Sequence, residues 1–144
     1  MTVDAQCERK TESARIAVID DDAVFVELMH DLLATGEGYH VVSNHNWVQG
    51  YEFIKEHRPD LVILDLMMGR EQTGWAVLEL LREDPSTAHI PVILCSAAEP
   101  SLRQHANRFE GIGAVEAVPK PFDVDHLLGV IAKLLEQRRL NVIN

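Results

Sequence analysis

Five short apolar runs punctuate the chain: IAVI (16–19), YHVVS (39–43), LVIL (61–64), PVILC (91–95) and AVEAV (114–118). They are β-branched and nearly continuous, as strands buried on both faces are. The segments between them follow a helical period. Asp22 is placed to cap a helix over 23–34, with Phe25, Leu28, Met29, Leu32 and Leu33 on one face, and Gly36 and Gly38 end it. Asn46 caps 47–57, with Trp47, Val48, Tyr51 and Ile54 facing inward, and Pro59 forces an exit. Gly74 opens 75–83, with Trp75, Val77, Leu78 and Leu81 inward. Ser101 opens a shorter, less apolar helix to about Phe109. Asp123 caps 124–138, with Val124, Leu127, Leu128, Ile131, Leu134 and Leu135 inward, and Lys133, Arg138 and Arg139 near its end, where cations suit the helix dipole.

Strict alternation of five strands with five helices predicts right-handed βαβ crossovers: a flavodoxin-like doubly wound (βα)5 α/β domain, with a five-stranded parallel sheet in strand order 2-1-3-4-5. At 144 residues the chain holds one such domain. Residues 1–13 are polar and aperiodic, a loose tail; the domain is expected over 14–138 and a short tail over 139–144.

Composition narrows the function. Thirteen basic against 23 acidic residues give a formal charge of −10, which repels nucleic-acid phosphates. No apolar run approaches the roughly 18 residues of a membrane span, and the polar N-terminus lacks a secretory signal. The two cysteines, Cys7 in the tail and Cys95 in an apolar run, do not suggest a disulfide, so a reducing cytoplasm is expected. The seven histidines show no metal-ligand spacing.

In an open parallel sheet, ligands bind beyond the carboxyl ends of the strands. There the first run ends in Asp20-Asp21-Asp22 and the third in Asp65; the fourth is followed by Ser96 and the fifth by Lys120. Taken singly, Asp22 reads as a helix cap, Ser96 as a loop hydroxyl and Lys120 as a surface charge. Taken together they say more. Like charges about 4 Å apart repel by ~4 kcal/mol at an effective dielectric of ~20, so three carboxylates at adjacent strand ends raise one another's pKa or recruit a cation. Oxygen-only ligands suit Mg²⁺ or Mn²⁺. A nucleophilic Asp, a hard ion, a lysine and a hydroxyl are the equipment for phosphoryl transfer to an aspartate.

The motifs IAVIDDDAV, DLVILDLMM, IPVILCSAA and AVPKPFD, in this order and spacing, resemble the receiver domain of two-component response regulators over about residues 14–138. The resemblance implies that Asp65 accepts a phosphoryl group from a sensor histidine kinase or a histidine phosphotransfer protein. Asp20, Asp21, Asp65 and the backbone carbonyl of Met67 would hold Mg²⁺, while Ser96 and Lys120 contact the phosphoryl group across a cis Lys120–Pro121 bond. The domain would then be a signalling phosphoacceptor, catalysing only its own phosphorylation and slow dephosphorylation, whose output is a change in binding to a downstream protein. The face over 101–138 is the family's usual surface for this, including for a homodimer.

Three positions depart from the family pattern: Ala117 where an aromatic switch residue is usual, Gly69 in place of a proline in a longer MMGREQTGW loop, and Pro119 directly before Lys120. Met67 and Ala98 would flank an attacking water without orienting it, which predicts slow loss of the phosphoryl group. Two other readings compete. One is a receiver-like module that no longer takes phosphate. The other is a small phosphatase resembling the haloacid dehalogenase superfamily, whose Asp-x-Asp-x-Val pattern fits residues 20–24; the short chain and the lack of an acidic motif after Lys120 count against it.

Overall fold

The computed structural model describes residues 14–66, 74–95, 97 and 114–143. Strand β1 (Arg15–Ile19) leads into helix α1 (Ala23–Met29), which continues as a π-helical stretch (His30–Gly36). Next come β2 (His40–Asn44), a 3-10 turn (Trp47–Gln49), α2 (Gly50–His57), β3 (Leu61–Leu64), α3 (Gly74–Glu83), β4 (Val92–Leu94), β5 (Val115–Ala117) and α4 (Val124–Ile143). All strand pairs are parallel and the sheet order is β2-β1-β3-β4-β5, as the alternation predicts. The helix expected over 101–109 and the N-terminal tail lie outside the described residues.

Each strand's side chains divide by parity, as the pleat demands. Ile16, Val18, Leu61, Ile63, Ile93 and Cys95 pack with Phe25 and Met29 of α1, Leu33 of the π-helical stretch, and Leu127, Ile131 and Leu134 of α4. Ala17, Ile19, Val62, Leu64, Val92 and Leu94 pack on the other face with Ile54 of α2 and Val77, Leu78 and Leu81 of α3. This two-sided burial explains why the runs read as continuous rather than alternating.

Several helix boundaries and facings differ from expectation. Leu28 is 47% exposed, because the buried stripe of α1 is the narrow row Phe25, Met29, Leu33. The π stretch takes in one more residue per turn, which keeps Leu33 in that row. Val48 is exposed because it lies in the 3-10 turn, out of phase with the α-helix that starts at Gly50. Asn46 does cap that turn, accepting from Val48 N–H at 2.9 Å. Val124 is exposed because it opens α4 a turn ahead of Leu127, the first residue to reach the core. Helix α4 itself runs on to Ile143, five residues past the expected end; residues 139–143 contain no glycine or proline to stop it, and Arg139 pairs with Glu136 at 2.7 Å. The basic residues expected to serve its dipole have other work: Lys133 pairs with Glu116 at 2.9 Å, and Arg138 donates to the carbonyl of Asp60 at 3.2 Å.

Candidate functional site

Strand register brings the acidic residues together. Ile19 lies beside Leu64, so Asp20 and Asp65 are the next residues on neighbouring strands, one inter-strand spacing apart. Asp65 N–H donates to the Ile19 carbonyl at 3.0 Å, and Val118 N–H to the Leu94 carbonyl at 2.9 Å, which carries the ladder to the strand ends. Parity does the rest. Asp20, Asp65 and Lys120 continue the rows 16–18, 61–63 and 118, so they emerge on the face covered by α1 and α4.

Asp20 is 1% and Asp65 7% exposed, whereas Asp21 is open to solvent. One oxygen from each of the three carboxylates lies within 4.8 Å of the others. The backbone of Asp22 donates to Asp20 Oδ1 at 2.9 Å, and Lys120 Nζ donates to Asp20 Oδ2 at 2.7 Å. The same ammonium lies 3.5 Å from Asp65 Oδ2. Asp22 is the N-cap of α1, accepting from Val24 and Phe25 N–H, so its dull reading holds: it anchors the helix beside the site. Gly74 closes the loop behind Asp65. Its N–H donates to the Leu66 carbonyl at 3.0 Å, and a Cβ there would stand 2.2 Å from the Asp65 carbonyl oxygen. Only glycine lets α3 start against the backbone that presents Asp65.

Burial pushes the Asp20 carboxyl above its usual range, more than Lys120 and the Asp22 N–H hold it down; the Asp65 charge adds to the rise. Burial would lower Lys120, yet the bond to Asp20 and the charges of Asp20 and Asp65 outweigh it and hold the ammonium above its ordinary value. Cys95, in the same row, is pushed up to about 12 by burial and stays a neutral thiol in the core. Among the described residues the centre holds three carboxylates against one lysine, and the groups there that could ligate a cation are carboxylate oxygens. That set fits a hard divalent ion such as Mg²⁺, with Asp20, Asp21 and Asp65 as the residues to hold it.

Residues 16–132 match the family model described as response regulator receiver domain. The chain belongs to this family. It is 34% identical over 125 residues to the DNA-binding dual master transcriptional regulator RpaA of Synechocystis, covering 85% of this chain but 49% of that protein. It is 27% identical over 120 residues to the polar-differentiation response regulator DivK of Brucella anthropi, covering 83% of this chain and 94% of DivK. The chain thus spans about half the length of RpaA and nearly all of DivK. In fold it is similar to the signal receiver domain of a LuxO repressor protein from Vibrio parahaemolyticus, with a TM-score of 0.75, 21% identity, and 91% and 96% of the two chains covered.

For a receiver domain, the expected site residues fall into two groups. The structure brings Asp20, Asp21, Asp65 and Lys120 together, and the Lys120–Pro121 bond is cis. Met67 and Ser96 lie outside the described residues, as do Gly69 and Ala98. Ala117, at the atypical position, sits beside Leu94 in the sheet and packs partly buried against the α2–α3 face. Two residues around the site were not expected there: Phe25 was read only as an apolar helix position, and Phe122 only as part of a motif. Phe25 holds its ring 4.1 Å from Lys120 Nζ, and Phe122 meets Phe25 edge to face. The signal for Phe122 was its place two residues after the lysine, in AVPKPFD.

Proposed function

We propose that this receiver domain takes a phosphoryl group on Asp65 from a phosphohistidine of a sensor kinase or histidine phosphotransfer protein, and that the phosphorylated state changes its binding to a downstream protein. One observation carries this reading: a lysine set between two buried carboxylates, with a third carboxylate close enough to share a cation. An Asp65 oxygen attacks phosphorus, the P–N bond to the donor imidazole breaks, and its electron pair returns to the ring. Lys120 offsets the charge of the phosphoryl oxygens, and the Ser96 hydroxyl would bond one of them. Asp20, Asp21, Asp65 and the Met67 carbonyl would hold Mg²⁺ or Mn²⁺, which would supply positive charge to offset the phosphoryl group. The domain is a signalling phosphoacceptor and not an enzyme acting on other molecules. A cytoplasmic setting suits these partners, and no helix among the described residues is long and apolar enough to cross a membrane. The 101–138 face is our candidate for the downstream partner or a second copy, and the charge of −10 disfavours nucleic acid.

The test is incubation with acetyl phosphate and Mg²⁺, followed by mapping of the acyl phosphate. Mg²⁺-dependent label on Asp65, absent in Asp65→Asn, is expected. Label on Asp20 would point instead to the phosphatase reading, and no label to a module that takes no phosphate. With Met67 and Ala98 unable to orient water, we expect the label to outlast minutes and Ala98→Glu to change its decay; loss within seconds would contradict this.

A further inference from the structure

We propose that Phe25 is a positioning residue for Lys120, its ring face holding the ammonium where the phosphoryl oxygens of Asp65 arrive. The inference rests on Asp65 being the phosphoacceptor. Lys120 Nζ lies 4.1 Å from the Phe25 centroid, well inside the reach of a cation–π contact, and the ring is buried, where such contacts are strongest. The ring is itself oriented. Phe122 packs against it at 5.9 Å between centroids with the planes 88° apart, the edge-to-face geometry that aromatic quadrupoles favour. Phe122 comes from the segment that carries Lys120, so the lysine and the clamp on its ring arrive together.

A lysine has a flexible four-carbon stem and no fork to fix its direction. Its ionic partners here are also the groups whose charge changes. Asp65 becomes an acyl phosphate, a mixed anhydride, on phosphorylation, and Asp20 is a candidate ligand for the cation. In the structure the ammonium sits closer to Asp20, at 2.7 Å, than to Asp65, at 3.5 Å. The ring is the neutral partner that none of these events alters. It gives the ammonium a fixed contact while its carboxylate contacts exchange.

The experiment replaces Phe25 with mono-, di- and trifluorophenylalanine, which drain the ring face with little change of shape, alongside Phe25→Leu. The rate of Asp65 phosphorylation by acetyl phosphate is expected to fall stepwise with each fluorine, by roughly fivefold to thirtyfold across the series. A second readout needs neither metal nor phosphate. With isotopically labelled lysine, the Lys120 side-chain resonances should show an upfield ring-current shift that Phe25→Leu removes. A flat fluorine series in a protein whose wild type does phosphorylate, or Lys120 resonances unmoved by Phe25→Leu, overturns the proposal. Failure of the underlying reading looks different: the wild type takes no label, while the ring-current shift persists.

Discussion

Two cations are withdrawn from solvent at opposite ends of the sheet, and they are satisfied in opposite ways. Arg82, 7% exposed at the amino ends of the strands, sends one nitrogen of its fork to the carbonyls of Ala88 and Ile90, both at 2.9 Å, and the other to Ala114 at 3.3 Å. Burial lowers its pKa to about 10, and among the described residues it leaves only Nε without a partner. Lys120, at the carboxyl ends, faces carboxylates instead, and there are more of them than it can neutralise. Neutral dipoles fix a cation without bringing carboxylate charge with them, so Arg82 clasps the turn before β4 to the start of β5. An excess of carboxylates leaves charge that a further cation must offset. The difference separates a charge held by backbone from one set among carboxylates, although both are basic, Arg82 buried and Lys120 half-buried.

Removing Arg82 should have the largest effect. Arg82→Met takes a donor from three carbonyls, of which that of Ala114 still accepts from Val92 N–H at 2.9 Å, and urea unfolding should show a loss of about 2–4 kcal/mol. Arg82→Lys should recover little of it, since a point charge cannot span three acceptors. Asp65 labelling per folded molecule should stay near wild type. A collapse of labelling in a folded Arg82 variant would mean that the two ends are coupled and the division is wrong. Next in size is the metal. Mg²⁺ at a hundredfold excess over its dissociation constant should stabilise the protein by about 2.7 kcal/mol. Thermal scans with Mg²⁺ against EDTA should show this in wild type and in Arg82→Met alike, and much less in Asp65→Asn.

A third substitution probes the support of the acidic end. Gly74→Ala puts a methyl group into the Asp65 backbone, a collision with main chain that no side-chain rotation relieves. Overpacking of this kind costs about 1–3 kcal/mol. Because α3 or the Asp65 backbone must move, Asp65 labelling should fall with stability, unlike in Arg82→Met.

The acidic end was legible in the sequence because it depends on strands. Four of the five runs place a reactive group at or just after their carboxyl end, and period-2 parity then puts Asp20, Asp65 and Lys120 on one face without further information. Arg82 was not read, since a charge in a helix is taken as solvated by default. Its signal was positional: it lies four residues after Leu78 and one after Leu81, on the buried stripe of α3. The contact between Phe25 and Lys120 could not be read, because it joins residues 95 positions apart through side-chain directions alone. Helix ends failed for a related reason. Val48 and Val124 carry the right apolar identity, but whether they reach the core depends on where the helical phase begins, which 3-10 and π turns shift by a residue.

The smallest effect is the most exacting for the contrast between the two cations. Folding raises the pKa of Asp20 above its ordinary 3.8, with burial the leading cause. Between that value and the raised one, the folded state keeps a proton that the unfolded state has lost. The stabilisation from this group is therefore complete below pH 3.8 and is lost as pH rises through the folded value, leaving ionised Asp20 a burden at neutral pH when no metal is present. Lys120, also raised, contributes stability below its ordinary 10.5 that is lost as pH climbs through its folded value. In EDTA at neutral pH, Asp20→Asn should raise Tm by a few degrees, flatten the decline above pH 3.8, and weaken the alkaline loss that belongs to Lys120. Adding Mg²⁺ should reverse the order, lifting the wild type more than the variant. If Asp20→Asn instead lowers Tm in EDTA, the pairing with Lys120 outweighs the burial of the carboxylate. Lys120 would then be a net stabilising partner of Asp20, and any charge left to draw a metal ion would rest on Asp21 and Asp65.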